Sequence, residues 1–296
     1  MEKSHARYAF AALIGANLSL TAGPWMVRLS DVGPVAAGFW RLALAIPFLA
    51  LLAVRQRRGK PFPGWVLIGS IALGGLFFAA DLAAWHEGIL RTKLANATLF
   101  GNFASFLFAL YGFLMLRALP RPMQAVALLL AMAGTALLLG RSYELSPGHF
   151  VGDLLCLLAA LFYALYLIVV DRARKTMAPW PVLAIATTAG ALPILLFALA
   201  MGEQVMPTDW TPLIPLSIGS QVVGQGLLVY AMGHLPPLVI GVGLLTQPVA
   251  AAALGWAVYD ERLGLADGLG ALLVCAALVL IRLPDRRVAT SGAEAH

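Results

Sequence analysis

Two charged side chains interrupt otherwise apolar stretches of this sequence, and they have the clearest chemical potential. Arg41 and Asp81 each lie about seven residues from the same end of a predicted membrane helix, roughly 10 Å deep at about 1.5 Å per residue. Charges at that depth are costly, so they usually face protein or water. Two interpretations stay open. The pair is a structural ion pair between neighbouring helices, or it is a site where either residue meets the charged end of a substrate or Asp81 carries a coupling proton.

The residues around Asp81 form a stripe of aromatic and acidic character. Phe78, Asp81 and Trp85 recur at i, i+3 and i+7, which places them on one face of a helix. Such a stripe lines a cavity or packs in the ordinary way with one buried charge, and the pattern alone does not separate these alternatives.

Polar amides inside the apolar stretches are further candidates. Asn102 and Gln247 are predicted mid-helix at matched positions, and Gln247 precedes Pro248. A proline inside a helix removes a donor and frees a carbonyl one turn earlier, which predicts irregular backbone there. At membrane depth such backbone is tolerated only against protein or water. We interpret this pair as part of a substrate site near the midplane, with interhelical hydrogen bonding as the alternative.

Amides and tyrosines of other stretches complete the candidate set. Gln221 and Gln225 share a helical face at i and i+4, and Asn17 adds a donor seven residues ahead of a proline. Tyr163 and Tyr166 offer rings that stack on an aromatic substrate. Because they fall near a predicted helix end, they fit the aromatic belt at the membrane interface equally well.

Ten hydrophobic stretches position these residues, each near the roughly 20 residues that cross a bilayer. We number them span 1 to span 10, and they cover residues 8–28, 34–54, 64–86, 94–115, 122–140, 150–170, 180–201, 210–232, 236–257 and 264–282. The adjacent prolines Pro236 and Pro237 predict a break between spans 8 and 9.

The composition excludes several classes of protein. With 61% hydrophobic and 11% charged residues, the chain cannot cover a water-soluble surface, so lipid must be its solvent. The basic excess of 20 Lys and Arg over 14 Asp and Glu lies between the spans, so we expect no nucleic-acid partner. Cys156 and Cys275 lack CxxC spacing, and no phosphate-binding GxxxxGK[ST] loop occurs. We therefore expect no metal, no cofactor and no ATP hydrolysis through that motif.

The chain contains an internal repeat with an offset of 145 residues. Aligned without a gap, spans 3 and 4 match spans 8 and 9 at Trp65/Trp210, Gly74/Gly219, Leu82/Leu227, Gly88/Gly233 and Leu99/Leu244. Five spans is an odd number, so the second copy enters the bilayer from the opposite side. The sequence predicts an all-α integral membrane protein: ten transmembrane helices as two inverted five-helix repeats, 1–145 and 146–285, with a cytoplasmic tail, 286–296.

The two copies differ at several candidate residues. Asp81 aligns with Gly226, while Gln221 and Gln225 align with Leu76 and Ala80. Because a shared scaffold is matched between copies, these mismatches indicate where substrate recognition should be sought.

Charge asymmetry predicts the orientation. Alternate loops carry 14 and 5 of the 20 Lys and Arg residues, and Arg41 lies inside a span. By the positive-inside rule, both termini lie in the cytoplasm, as an even number of spans requires. The predicted location is the inner membrane of a bacterium.

Three segments resemble a known family. Residues 255–273 carry the pair Glu261-Arg262, a short turn and a Gly- and Leu-rich helix, as at the end of an EamA-type repeat of the drug/metabolite transporter superfamily. Gly152-Asp153 resembles the start of a second repeat, and Phe39-Trp40-Arg41-Leu42 resembles the second helix. The chain departs from the pattern with Leu116-Arg117 in the first half and Asp260 in place of Gly.

The resemblance implies a secondary transporter with a small-molecule substrate that works by alternating access. Within the superfamily the chain is most similar to bacterial exporters of aromatic and other hydrophobic amino acids. Export of other metabolites or drugs is an alternative, and a channel is another. An intramembrane enzyme would need paired acids, a serine with a base, or a metal triad, and the spans supply one deep aspartate. The oligomeric state stays open.

Overall fold

The computed structural model describes residues 2–57, 63–92, 97, 100–116, 121–140, 147–259 and 264–281. The described residues form helices and turns, without a strand. Asp260, Glu261, Arg117 and the predicted tail 286–296 lie outside the described residues.

Each predicted span corresponds to one helix or to two consecutive helices. In the first half these are Glu2–Thr21 and Gly23–Leu29 (span 1), Pro34–Ala43 and Ile46–Arg57 (span 2), Trp65–Arg91 (span 3), Phe103–Leu116 (span 4) and Pro122–Gly140 (span 5). In the second half they are Phe150–Arg174 (span 6), Pro179–Ala200 (span 7), Leu213–Met232 (span 8), Pro237–Leu244 and Gln247–Tyr259 (span 9), and Leu265–Leu280 (span 10).

Six of these segments are long and apolar enough to cross a membrane within the described residues: spans 1, 2, 3, 6, 7 and 8. Spans 4, 5, 9 and 10 are present as shorter apolar helices. The helical architecture and the order of the apolar segments agree with the sequence analysis, and the number of ten membrane crossings stays a prediction.

Prolines account for the helix breaks within spans. The breaks in spans 1, 2 and 9 directly precede Pro24, Pro47 and Pro248. Proline lacks the amide donor and its ring clashes with the carbonyl of the preceding turn, so the helix restarts there. The turn before Gln247 confirms the irregular backbone predicted at Pro248. Pro193 differs, because the helix of span 7 continues through it.

The junction between spans 8 and 9 also follows its prediction. The helix of span 8 ends at Met232 and the next helix begins at Pro237. Proline at the first helical position has no hydrogen bond to lose there, which explains why the helix restarts at that residue.

The spans pack in a pattern that repeats when each span is exchanged with its counterpart five spans away. Span 3 packs on span 6, and its counterpart, span 8, packs on span 1. In the same way span 3 packs on span 7, and span 8 packs on span 2. Spans 2 and 7, 4 and 9, and 5 and 10 pack on each other. Such an exchange is what a two-fold relation between the halves requires, so the packing supports the predicted inverted repeat.

Glycines allow the closest approaches between spans. A Cβ on Gly75 of span 3 would overlap the carbonyl oxygen of Ala186 in span 7, and one on Gly190 would lie 2.8 Å from the carbonyl oxygen of Gly75. Small residues at helix contacts in a bilayer let the backbones meet, since packing there depends on van der Waals contact. Spans 3 and 7 therefore meet backbone to backbone beside the charged residues.

We predict that Gly75→Ala destabilises the protein because the added methyl group pushes spans 3 and 7 apart. Overpacking of this kind typically costs about 1–3 kcal/mol. The matched control is Gly69→Ala in the same helix, where nothing lies within 4 Å of the added Cβ. Thermal unfolding in detergent should show a lower melting temperature for Gly75→Ala only. Equal melting temperatures for both variants would contradict this packing.

Candidate functional site

The central site lies where spans 2, 3, 6, 7 and 8 pack together. We use this name for Arg41, Phe78, Asp81, Tyr163, Tyr166, Thr187, Gln221 and Gln225. Arg41 and Asp81 are surrounded by protein on all sides, yet each keeps part of its surface accessible. Charges inside a membrane bundle usually face protein or water rather than lipid, and the protein groups around this pair are described below.

The two charged residues of the central site lie close enough to influence each other without forming a salt bridge. Their charges interact, but Arg41 and Asp81 form no salt bridge. Among the described residues, the carboxylate of Asp81 accepts no hydrogen bond. The geometry therefore departs from a closed structural ion pair, the first of the two interpretations of this pair. What remains is a guanidinium and a carboxylate separated by a gap.

Three aromatic rings form one wall of the central site. The rings of Phe78 and Tyr166 stack with centroids 4.8 Å apart, and Tyr163 lies 6.2 Å from Phe78 and 5.8 Å from Tyr166. The guanidinium of Arg41 lies 5.5 Å from the centre of the Phe78 ring, within the range of a cation–π contact. Tyr166 is 1% exposed, so its side chain is buried in this wall. The alternative that Tyr166 belongs to the aromatic belt at the membrane interface is therefore wrong.

Amides and hydroxyls hold the site together by hydrogen bonds. Arg41 Nε donates to Gln221 Oε1 at 3.1 Å, and Gln221 Nε2 donates to Thr187 Oγ1 at 2.9 Å. Gln225 bridges the two tyrosines, because its Oε1 accepts from the Tyr166 hydroxyl at 3.3 Å and its Nε2 donates to the Tyr163 hydroxyl at 3.5 Å. Paired in this way, both glutamines avoid the cost of an unsatisfied buried amide.

Span 8 reaches the central site through a π-helical segment, Leu216–Gly224. This segment contains Gln221 and also Ser217, whose hydroxyl donates to the backbone carbonyl of Arg41 at 3.0 Å. A π-helical turn inserts extra residues into the helix and changes which side chains face inward, and such turns are frequent at functional sites.

Asn17 and Gln247 form a separate polar cluster between spans 1 and 9. Asn17 Nδ2 donates to the carbonyl of Gly243 at 2.6 Å and to Thr246 Oγ1 at 2.7 Å, and Gln247 Nε2 donates to Asn17 Oδ1 at 3.4 Å. These bonds satisfy backbone next to the break in span 9. The structure thus pairs Gln247 with Asn17, and interhelical hydrogen bonding accounts for both amides.

The described contacts of two other candidates involve span 4. Trp85 packs its ring directly on Gly101 of span 4. Asn102 lies at a turn that precedes the helix Phe103–Leu116, where its backbone carbonyl accepts from Ser105 N at 3.0 Å. The structure therefore brings together Phe78, Asp81, Tyr163, Gln221 and Gln225, and it places Trp85 and the cluster at Asn17 elsewhere.

Sequence reasoning missed Thr187, Ser217 and His86. Thr187 and Ser217 are hydroxyl residues inside apolar helices, and such residues also occur where a hydroxyl bonds its own helix, so the sequence carries no separate signal for them. His86 is 6% exposed, packs against Gly38 of span 2 and has an Nδ1 without a hydrogen-bond partner. The sequence signal that could have identified His86 is its position five residues after Asp81 in the same span.

The end of the bundle opposite the amino terminus is held by contacts between two loops, which we name the loop tie. Glu203 Oε1 and Oε2 accept from the backbone N–H groups of Val35 at 3.2 Å and Ala36 at 2.7 Å. A carboxylate at the first turn of a helix satisfies free donors and suits the positive end of the helix dipole. A Cβ on Gly33 would collide with Glu203, so the close approach needs glycine there.

Asp31 supplies the second carboxylate of the loop tie. Its Oδ2 accepts from the side-chain hydroxyl of Thr208, from Thr208 N at 2.7 Å and from Asp209 N at 3.2 Å. These hydrogen bonds, the one from the Thr208 hydroxyl foremost, lower the pKa of Asp31 below its ordinary value of 3.8. Asp31 is therefore ionised at neutral pH, and its contribution is lost only as the pH falls through that lowered pKa.

The two aromatic residues Trp40 and Trp210 complete the loop tie. Their rings meet edge to face with centroids 4.8 Å apart, and Trp40 Nε1 donates to the carbonyl of Val205 at 2.7 Å. Because Trp40 directly precedes Arg41, the loop tie and the central site share one helix of span 2.

Helices long and apolar enough to cross a bilayer, as six segments of the described residues are, indicate an integral membrane protein. The EamA-like transporter family matches the chain twice, over residues 6–140 and 150–283. The chain therefore belongs to the EamA-like transporter family, as the sequence resemblance indicated, and contains two copies of its repeat. No curated protein matches the sequence.

Comparison with solved structures supports the same fold. One crystal structure superposes with a TM-score of 0.78 at 18% sequence identity, and the match covers 95% of this chain and 98% of the other. At this identity the likeness concerns the fold alone. The chain thus shares its fold with a protein solved by crystallography, and its family membership makes it a multi-pass membrane transporter.

We predict that Glu203→Ala opens the loop tie by removing the acceptor for two helix N–H groups. Loss of such a cap costs about 0.5–2 kcal/mol. The reporter is the thiol of Val35→Cys, at a position that is fully buried, in protein with Cys156 and Cys275 replaced by Ser. In detergent, a soluble thiol reagent should label it several-fold faster after Glu203→Ala.

The matched control for this experiment is Gln204→Ala. The exposed side chain of Gln204 donates only within its own loop, to the carbonyl of Met206 at 3.3 Å. If Gln204→Ala accelerates labelling as much as Glu203→Ala does, the carboxylate is not what holds the two loops together.

Proposed function

We propose that this transporter exports small zwitterionic organic solutes, with hydrophobic and aromatic amino acids foremost, across the bacterial inner membrane by alternating access. The observation that carries the proposal is the separated pair of Arg41 and Asp81 beside an aromatic wall. Two inverted halves, residues 1–145 and 146–285, provide the moving parts.

The separated charges fit a solute that carries both signs. A free amino acid presents an ammonium and a carboxylate a few bonds apart. Its ammonium finds the acceptor oxygens of Asp81, which no described residue occupies, and its carboxylate finds Arg41. A zwitterion between these residues pairs both intramembrane charges, which offsets the cost of keeping them inside the bilayer.

The aromatic wall fits an apolar side chain on that solute. Tyr163 keeps part of its surface accessible, whereas Phe78 and Tyr166 are 2% and 1% exposed and pack against it. The tyrosine hydroxyls are held by Gln225. An aromatic side chain stacked on such a wall gains roughly 0.5–1.5 kcal/mol beyond the area it buries. Export of other metabolites or drugs remains the alternative that the apolar wall also supports.

The proposed direction, export, comes from the resemblance to bacterial exporters, while the orientation and the loop tie indicate which end is closed in this conformation. With 14 Lys and Arg on the amino-terminal side and 5 on the other, both termini lie in the cytoplasm. The loop tie then closes the external end of spans 2, 7 and 8, so a solute would enter this conformation from the cytoplasm. Export requires the tie to open once the solute is bound.

Counterflow in reconstituted vesicles tests the proposal. Vesicles loaded with unlabelled phenylalanine should accumulate labelled phenylalanine transiently, and the initial rate should saturate. A carrier exchanges solutes through one site, which produces both properties. A linear, non-saturating flux with single-channel currents would establish a channel instead, and exchange of drugs or sugars without amino acids would replace the proposed cargo.

We predict that Asp81→Asn lowers the affinity for phenylalanine because the ammonium loses its charged acceptor. A hydrogen bond to a charged group contributes about 1.5–3 kcal/mol, so the apparent substrate constant should rise roughly 10- to 100-fold. The control is Glu87→Gln in the same helix, which removes a carboxylate that is paired with Arg91. Unchanged transport with unchanged pH dependence in Asp81→Asn would remove Asp81 from the mechanism.

A further inference from the structure

The side chain of Arg41 is anchored on one side and open on the other. Its Nε donates to Gln221 Oε1 at 3.1 Å, and its backbone carbonyl accepts from Ser217 Oγ at 3.0 Å. Both anchors come from the π-helical segment of span 8. Among the described residues no further hydrogen bond of the guanidinium occurs, so its two terminal amino groups stay available beside the Phe78 ring.

Gln221 cannot itself contact a solute in this structure. It is 0% exposed, its Oε1 accepts from Arg41 and its Nε2 donates to Thr187 Oγ1 at 2.9 Å. Thr187 is also 0% exposed. Gln221 is a predicted substrate-binding residue, but its side chain is buried and its two hydrogen bonds connect span 7 to Arg41.

A fixed orientation of the guanidinium decides what it recognises. Guanidinium carries its donors in a planar fork, and the two terminal amino groups match the two oxygens of a carboxylate. The Nε of Arg41 already donates to Gln221, so the two terminal amino groups are the donors left for a carboxylate. A flexible arginine side chain would lose conformational entropy when it binds a carboxylate. An arginine already held by a hydrogen bond loses less.

We propose that Gln221 and Thr187 are positioning residues that aim Arg41 at the carboxylate of the solute, which makes a carboxylate the group that this end of the central site selects. The proposal rests on the proposed function for its cargo, because it assigns the acidic end of the amino acid to Arg41. It goes further in requiring that carboxylate recognition depends on two residues that never touch the solute.

The test compares binding of two simple probes to the full chain in detergent. 3-Phenylpropanoate carries the ring and the carboxylate without the ammonium, and phenethylamine carries the ring and the ammonium without the carboxylate. The measurement is the rise in melting temperature over a range of probe concentrations, which yields an apparent dissociation constant. Wild-type protein should bind both probes.

Gln221→Leu should weaken binding of 3-phenylpropanoate roughly tenfold, as expected for one charge-assisted hydrogen bond, while phenethylamine binding changes less than about twofold. Thr187→Val, which is nearly isosteric, should also weaken binding of 3-phenylpropanoate. Thr187→Ser keeps the hydroxyl and should bind this probe as the wild type does. The matched control is Thr188→Val, because the neighbouring Thr188 is exposed. The melting temperature without probe reports whether each variant is folded.

The outcomes separate this inference from the proposed function. Equal weakening of both probes in the Gln221 and Thr187 variants, no weakening in either, or a wild type that does not bind 3-phenylpropanoate would overturn the positioning role. If the selective loss occurs but vesicles show no amino acid counterflow, the proposed cargo fails while the positioning of Arg41 stands.

Discussion

The bilayer cannot solvate a charge, and the rest of this structure depends on that constraint. Arg41 and Asp81 lie within spans whose other residues are nearly all apolar, so protein has to supply what water would. The aromatic face of Phe78, the amide of Gln221 and the opposite charge meet part of that need. The part left over is the carboxylate of Asp81, which accepts no hydrogen bond among the described residues.

Irregular backbone is the means by which the helices meet this constraint. In hydrocarbon every backbone group must find a partner, so helices break only where something else replaces the lost bonds. Asn17 does so at the break in span 9, where it donates to the carbonyl of Gly243. In span 8 the π-helical segment keeps its bonds but alters its register, which brings Ser217 and Gln221 onto Arg41. Helix breaks at prolines and the π-helical segment thus place polar groups at particular depths inside an otherwise apolar bundle.

The sequence predicted the elements better than the partners. Length and hydropathy located the apolar segments, and prolines located the breaks before Gln247 and Pro237, because both signals are local. The same signals cannot show which face of a lipid-exposed helix points inward, since lipid and protein both accept apolar side chains. Tyr166 was therefore ambiguous until its neighbours were known, and the contact between Gln247 and Asn17 had no signal in the sequence. Thr187 has no local signal at all, because its role exists only through Gln221.

The loop tie carries a consequence for how such a molecule can arise. Its acidic members, Asp31 and Glu203, come from different halves and meet at one end of the bundle. The corresponding loops at the other end carry Lys175 and the basic residues Arg58 and Lys60 in the sequence. An ancestral homodimer of one half would have had to place the same loops, with the same charges, at both ends. Two halves in one chain can differ in sequence, so each end of the bundle can carry its own set of loop contacts.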